Sequence, residues 1–312
     1  MDEYLTPAQI QQLRKTHYNA TVVSVRKPHT DLAVFRVRPD FAIPVHKPGQ
    51  YGTLGLGYWE PRVPGCQEEN LSPADRTRVV KRAYSLSHPI LDDQGQLIQT
   101  EQLDYFEFYI VLVRESGTDK PPALTPRLFA LREGDRLYLG EKITGSYTLD
   151  PVQPEHTVIF LATGTGEAPH NYMIWHLLRR GHRQPIISVC CVRYWRDLAY
   201  WNVHHRLMEL FPNYRYVPLT TREPENLGRK IYIQDLIASG ELERMLGRPL
   251  DPNTMHVYLC GNPNMIGVPK RDPKTGEWQF PQPTGAVELL MRRGFQPDEG
   301  KSKGTIHYEK YW

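Results

Sequence analysis

The sequence predicts two domains: an N-terminal antiparallel β-barrel, then a C-terminal α/β domain on a parallel sheet, with the boundary near residue 150. Three observations predict it. The chain has 312 residues, more than the ~100–200 of a typical domain. Up to Asp150, short β-branched runs separated by turn residues dominate, as in small barrels. Beyond Asp150, continuous apolar runs alternate with helical stretches, the rhythm of βαβ units on a sheet buried on both faces.

The elements follow in order. Residues 1–15 read as a short amphipathic helix started by Thr6-Pro7. Strands are expected at Ala20–Arg26 and Leu32–Arg38, separated by a Pro-His-Thr-Asp turn, and a third opens at Pro48–Tyr51. Residues 59–80, rich in Pro, Glu and Arg, read as a long charged excursion, expected as solvated decoration. Strand text returns at Arg82–Ser87, Phe106–Val113 and Asp135–Leu139, with one short helix at Thr125–Leu131. In the second half, strands are expected at Val158–Ala162, Pro185–Val192, Tyr214–Leu219 and Met255–Cys260. Helices are expected at Ala168–Arg180, Leu198–Leu210 and Ile231–Ala238. Residues 266–283 read as a second charged loop.

Composition narrows the function. With 40% hydrophobic and 23% charged residues, the chain is globular rather than disordered. No apolar run approaches the ~20 residues of a membrane span. The acidic N-terminus lacks the layout of a signal peptide, so a cytoplasmic protein is expected, as a monomer. A net charge of +3 is too mild to argue for nucleic acid. The cysteines Cys66, Cys190, Cys191 and Cys260 form no Cys-x-x-Cys pair, so neither a disulfide framework nor a metal site is expected. Redox chemistry here would use an organic cofactor.

Four motifs bear on chemistry. Gly164-Thr165-Gly166 lies where a buried strand gives way to a helix, a place where backbone can approach a diphosphate and free N–H groups meet it. By itself it reads equally as a tight turn. Arg82-Ala83-Tyr84-Ser85 lies on a barrel strand: the Arg suits a diphosphate and the Tyr a flat ring, while the Ser can bond a ring nitrogen. Cys260-Gly261-Asn262-Pro263-Asn264-Met265 follows a parallel strand, at the edge where open α/β sheets bind ligands. The chain ends in Glu309-Lys310-Tyr311-Trp312.

In this order and spacing the four motifs resemble the ferredoxin/flavodoxin–NADP reductases of bacterial type, from about Thr21 to the C-terminus. The resemblance implies an enzyme carrying FAD on residues 1–150 and binding NADP(H) on residues 151–312, with the tail returning to the flavin. It implies that Arg82 pairs with the flavin diphosphate, Ala83 and Tyr84 line the ring and ribityl side, and Ser85 lies beside flavin N5. It carries Tyr109 and Val111 over as FAD contacts, with Leu124 and Thr125 at the start of a short helix. Tyr311 and Trp312 would cover the cofactor. On the nucleotide side it implies Gly164, Thr165 and Gly166 at the diphosphate or nicotinamide, and Gly261, Asn262, Pro263 and Met265 beyond the later strand. Val192, Arg193, Thr221, Arg222 and Arg229 fall on the side of the 2′-phosphate and adenosine. Guanidinium forks there favour NADPH over NADH, whose ribose hydroxyls prefer an acid. Ser85, Cys260 and Glu309 would surround the point of hydride transfer, and single electrons would then pass to ferredoxin or flavodoxin.

Glu167 and His170 depart from the pattern, placing polar groups where small or apolar ones are usual; they are expected to alter nicotinamide placement or add a titrating group. Arg76, Arg78, Lys81, Lys142, Lys301 and Lys303 are candidates for a basic rim that steers an acidic carrier. Alternatives on the same scaffold are a reductase feeding an oxygenase, a free-flavin reductase, or a flavin redox sensor of low turnover.

Overall fold

The computed structural model describes residues 5–92, 94–98, 103–300 and 302–311. The chain divides into two compact units, Met1–Pro89 with Ile98–Ser146, and Ile90–Leu97 with Tyr147–Trp312. The grouping of segment 90–97 with the second unit has no sign in the sequence.

The first unit opens with α1 (Pro7–His17), started by a capping box in which Gln9 N donates to Thr6 Oγ1 and Thr6 N donates to Gln9 Oε1. Its far end is fastened through Glu60, which accepts from Arg14 Nη2 at 2.5 Å and from Tyr18 Oη at 2.9 Å. Six antiparallel strands follow: β1 (Ala20–His29), β2 (Leu32–Pro39), β3 (Tyr51–Gly57), β4 (Val79–Ser87), β5 (Phe106–Val111) and β6 (Arg136–Leu139). They close into a barrel in the order β1-β2-β5-β4-β3-β6. Phe35, Leu54, Phe108, Leu128 and Leu137 fill the interior, each at most 1% exposed. A single helical turn, α2 (Thr125–Leu128), crosses between β5 and β6.

Part of the excursion after β3 is fastened to the barrel, while residues 72–78 are largely exposed as expected. Arg127 of α2, only 2% exposed, donates to Glu69 Oε2 at 2.5 Å and to Tyr58 O at 2.9 Å. Val63 N donates to Pro126 O and Gln67 N to Arg114 O, at 3.0 and 2.8 Å. These bonds bind residues 63–69 to α2 and the end of β5 as a strap.

The second unit is a five-stranded parallel sheet in the order β13-β10-β7-β8-β9. Its strands are β7 (Thr157–Thr163), β8 (Ile186–Val192), β9 (Tyr214–Thr220), β10 (Met255–Gly261) and β13 (Ile306–Lys310). Alternation along β7 feeds two cores at once. Val158, Phe160 and Ala162 pack with Met173 and Ile174 of α3 (Glu167–Arg179) and Leu207 of α4 (Trp201–Leu210). Ile159 and Leu161 pack on the other face with Ile233 of α5 (Ile233–Ala238) and Leu290 of α8 (Ala286–Met291). The sequence reading left α6 (Glu241–Leu246), α7 (Pro263–Ile266) and α8 as irregular chain. It also left the tail without structure, whereas β13 is a full parallel strand beside β10. Part of the 266–283 loop folds as a short hairpin, β11 (Lys270–Arg271) against β12 (Trp278–Gln279).

Strand order fixes where a ligand belongs. The chain runs outward from β7 through β8 to β9, then returns to place β10 on the other side of β7. Between β7 and β10 the winding reverses, and open sheets of this kind hold ligands outside the C-terminal strand ends at such a switch point.

Candidate nucleotide and flavin sites

On the barrel, β4 carries Arg82, Ala83, Tyr84 and Ser85. Its partner on one side is β3, paired from Val79 to Ser85. On the other side the ladder with β5 comprises Leu86 with Phe108 and Ser87 with Glu107. Val79–Ser85 therefore pairs with a strand on one side only, among the described residues. Lys81, Arg82 and Ala83 are exposed in succession, Tyr84 is half-buried and Ser85 is buried. Three exposed residues in a row break the alternation a closed barrel would impose, and leave a strip of strand open to a flat ligand. Arg82 has no carboxylate partner among the described residues; its Nη1 donates to Lys81 O at 2.8 Å. Across the opening, Tyr109 is 4% exposed and Val111 half-buried.

The helix at Leu124 and Thr125 offers fewer donors than its sequence suggests. It is one turn long, Pro126 has no N–H, and the N–H groups of Arg127 and Leu128 both donate to Leu124 O. Thr125 Oγ1 accepts from Val113 N at 3.1 Å. Of the basic-rim candidates in this unit, Lys142 is exposed, Lys81 Nζ sits 3.5 Å over the Tyr138 ring, and Arg78 pairs with Asp75 at 2.5 Å. Arg76 also has a partner within the fold.

In the second unit, two turns meet at the switch point. After β7, Gly164 has φ +53° and residues 164–166 form a tight helical turn into α3. A Cβ on Gly166 would stand 2.3 Å from Cys260 O, so only glycine lets this turn lie against β10. After β10, Gly261 has φ +122°, and a Cβ there would stand 2.3 Å from Thr163 Oγ1. The Thr163 hydroxyl accepts from Asn262 N at 2.7 Å and ties the two turns together. Asn262 caps α7, its side chain accepting from Asn264 N at 2.8 Å, while Met265 is buried beneath. The sequence reading passed over Thr163; its signal was a hydroxyl at the last position of a buried strand. Thr165 is 7% exposed.

The residues expected on the adenosine side come together on the same edge. Thr221 N and Oγ1 both donate to Val192 O at 3.1 Å, and Arg222 N donates to Arg193 O at 2.8 Å. This places the two arginines at adjacent strand ends. Asn226 Nδ2 donates to Thr220 Oγ1 at 2.7 Å and draws the Arg229 segment to the end of β9. Arg193, Arg222 and Arg229 are exposed, and none has a carboxylate partner among the described residues. Three uncompensated guanidiniums on one sheet edge form an anion-attracting field.

The tail lies in register beside β10, Cys260 opposite Glu309, and Tyr311 N donates to Gly261 O at 3.0 Å. Cys260 is fully buried, and burial pushes its thiol well above the usual range, with the Glu309 carboxylate adding to the effect. It is a packed, protonated thiol rather than a nucleophile. Lys303 Nζ is spent on Asp298 at 2.9 Å. Trp312 and Lys301 lie outside the described residues. Glu167 and His170 do not line the nucleotide surface: both are 0% exposed, turned beneath the loop into the unit's interior.

Comparison with known proteins agrees with this reading of the fold. Residues 160–270 match the family described as the oxidoreductase NAD-binding domain. A ferredoxin–NADP reductase structure from Neisseria gonorrhoeae, with bound FAD and NADP, superposes with a TM-score of 0.67 at 20% identity, covering 94% of this chain and 97% of that one. The flavodoxin/ferredoxin–NADP reductase of Buchnera aphidicola subsp. Baizongia pistaciae is 27% identical over 298 residues, 95% of this chain and 99% of the relative. The ferredoxin–NADP reductase of Pseudomonas aeruginosa is 31% identical over 202 residues, 61% of this chain and 69% of the relative. The fold class is thus that of a two-domain nucleotide-binding oxidoreductase. Within it, the chain belongs to the flavodoxin/ferredoxin–NADP reductase family.

Proposed function

We propose that this protein is an FAD-dependent oxidoreductase that transfers electrons between NADPH and ferredoxin or flavodoxin, acting as a cytoplasmic monomer. Residues 1–150 hold FAD in this reading and residues 151–312 hold NADP(H). The observation that carries it is the edge of the parallel sheet: a glycine turn pressed onto Cys260 at the switch point, with three exposed arginines on the same edge that have no carboxylate partner among the described residues. The relatives' names support the carrier class. No helix among the described residues is long and apolar enough to cross a membrane.

The barrel residues fit a flavin nucleotide. The open strip of β4 presents the exposed Arg82 guanidinium for a diphosphate, a half-buried Tyr84 ring for a flat face, and a buried Ser85 hydroxyl for a ring nitrogen. Tyr109, Val111, Leu124 and Thr125 would complete its walls. When bound, FAD accepts a hydride from the nicotinamide at N5 and releases electrons singly to a one-electron carrier.

The chain's own contribution is placement. The turns at Gly164–Gly166 and Gly261–Met265 let backbone approach the nucleotide, and Thr163 fixes their spacing. Arg193, Arg222 and Arg229 read the 2′-phosphate, with Val192 and Thr221 beside the adenosine. Cys260, fully buried, packs against the Gly166 turn and so backs the place where the nicotinamide would lie. Glu309 and Tyr311 are held beside it by the β13 register, and Trp312 ends the same segment.

An anaerobic visible spectrum titrated with NADPH, and separately with NADH, tests the reading. Flavin bands that bleach at much lower NADPH than NADH are expected. A protein without flavin bands, or one bleached equally well by NADH, would overturn it.

A further inference from the structure

The second unit carries a cavity at the end of the sheet opposite the glycine turn. It opens between the loop before β7 and the chain that links α3 to β8, with a volume of about 590 Å³. Small-molecule sites span roughly 300–1,000 Å³. The glycine turn follows the last residue of β7, whereas this cavity lies before the first. β7 has seven residues, so about 20 Å separates the two places at ~3.3 Å per residue. The cavity is therefore no part of the nucleotide edge, and the activity does not use it.

Both walls are built by the fold. Val152 N donates to Leu149 O and His156 N to Gln153 O, each at 3.0 Å, so the loop is two successive turns. Opposite it, Gly181 with φ +76° ends α3. Gly181 N donates to Leu178 O at 3.0 Å and His182 N to Leu177 O at 3.1 Å. Asn213 Nδ2 donates to His182 O at 2.8 Å and to Gln184 O at 3.0 Å, which fixes this turn to the start of β9.

The lining joins apolar surface to positive charge. Leu149, Val152 and Leu177 supply the apolar part. Arg180 and Arg183 line it too; both are exposed, and neither has a carboxylate partner among the described residues. Basic residues in the last turn of a helix commonly answer the helix dipole. Here backbone N–H groups already cap the carbonyls of Leu177 and Leu178, and Arg183 lies beyond the helix. Glu155 is the one acid in the lining; it is exposed and pairs with neither arginine. The imidazoles stay neutral. Burial holds His182 below its ordinary value and, with Arg180 and Arg179 adding to the effect, lowers His176 to about 4. His182 Nε2 is buried without a hydrogen-bond partner. Two guanidiniums without a carboxylate, an unmet ring nitrogen and an apolar surface thus meet in one preformed cavity.

We propose that this cavity is a binding site for a small organic oxyanion, a carboxylate or phosphate carried on an apolar body. Arg180 and Arg183 hold the anionic head by charge-assisted hydrogen bonds. Leu149, Val152 and Leu177 cover the body.

The test is a ligand-observed NMR titration of the FAD-loaded protein, with NADP+ present to fill the other end of the sheet. The probes are hydrocinnamate, phenethyl phosphate, the neutral hydrocinnamamide and inorganic phosphate. At least one of the two organic anions should bind about tenfold or more tightly than both the amide, which lacks the charge, and inorganic phosphate, which lacks the body. The tighter of the two identifies the head as carboxylate or phosphate. Its advantage over the amide should vanish in the double variant Arg180→Gln/Arg183→Gln. Both positions are exposed, so the variant should keep the wild-type melting temperature. The proposal is overturned if the amide or inorganic phosphate binds as tightly as the organic anions, or if the variant binds them unchanged. Absence of binding by either organic anion up to about 10 mM overturns it as well.

Discussion

At the residue scale, the sheet edge shows how side chains of one type take different work from their neighbours. Arg127 is buried against Glu69, and Arg78 is paired with Asp75. Arg193, Arg222 and Arg229 are exposed and have no carboxylate partner among the described residues. A guanidinium that forms its first charge-assisted bonds with a ligand contributes about 1.5–3 kcal/mol per hydrogen bond to a charged group. Replacing Arg193 or Arg222 by Ala should therefore raise the KM for NADPH by about tenfold or more. The KM for NADH should move little. Steady-state diaphorase assays with both nucleotides check this, and parallel losses would remove these arginines from the 2′-phosphate. Glycine acts through the opposite property, absence of bulk. Gly166 and Gly261 bring two turns to a separation at which any Cβ would collide with backbone or with Thr163.

At the scale of elements, a buried ion pair joins the backbone hydrogen bonds that hold the strap after β3. Glu69 lies in the loop and Arg127 in the single turn of α2, with side chains 7% and 2% exposed. Removing one member of such a pair leaves the other as an uncompensated buried charge, at a cost of about 3–5 kcal/mol. Glu69→Ala should lower the denaturation midpoint accordingly, whereas substitution of the exposed neighbour Glu68 should change it little. If the two variants melt alike, the strap is decoration after all. The tail strand gives the second lesson at this scale. Glu309 and Tyr311 owe their position to five register pairs between β10 and β13, from Val257 with Ile306 to Gly261 with Lys310. The strand ladder, rather than the reach of a free terminus, sets where these groups lie.

For the whole molecule, the distribution of buried histidines predicts the response to acid. Burial lowers His170 to about 3 and, with neighbouring charges adding, His176 and His256 to about 4. The unfolded chain protonates these side chains near the ordinary value of about 6.5, well before the folded protein does. Their contribution to stability is complete above about pH 6.5. It declines as pH falls towards 4, where His176 and His256 begin to charge in the folded state. The melting temperature should fall over that interval, and His256→Gln should flatten the slope. A melting temperature constant from pH 7 to 4.5 would contradict this account.

The kinds of element and most of their order were legible in the sequence because they rest on local periodicity. A short apolar, β-branched run after turn residues marks β2, and the continuous apolar run of β7 marks a strand buried on both faces. The motifs were legible for the same reason, each being a few contiguous residues at a strand end. Short elements were not: α6, α7 and α8 have four to six residues, too few for a helical period to show. The tail strand was missed because its partner is β10, distant in sequence. The least legible feature is the cluster around Glu167. Its acid stood out only as a departure from pattern, while Tyr216, whose hydroxyl donates to it at 2.5 Å, lies 49 positions further on in sequence. Sequence by itself determined what the longer strands and helices become, since that depends on neighbours along the chain. Only the tertiary structure decided which polar side chains share a dry interior, because those meetings are fixed by packing around the sheet, which no local pattern encodes.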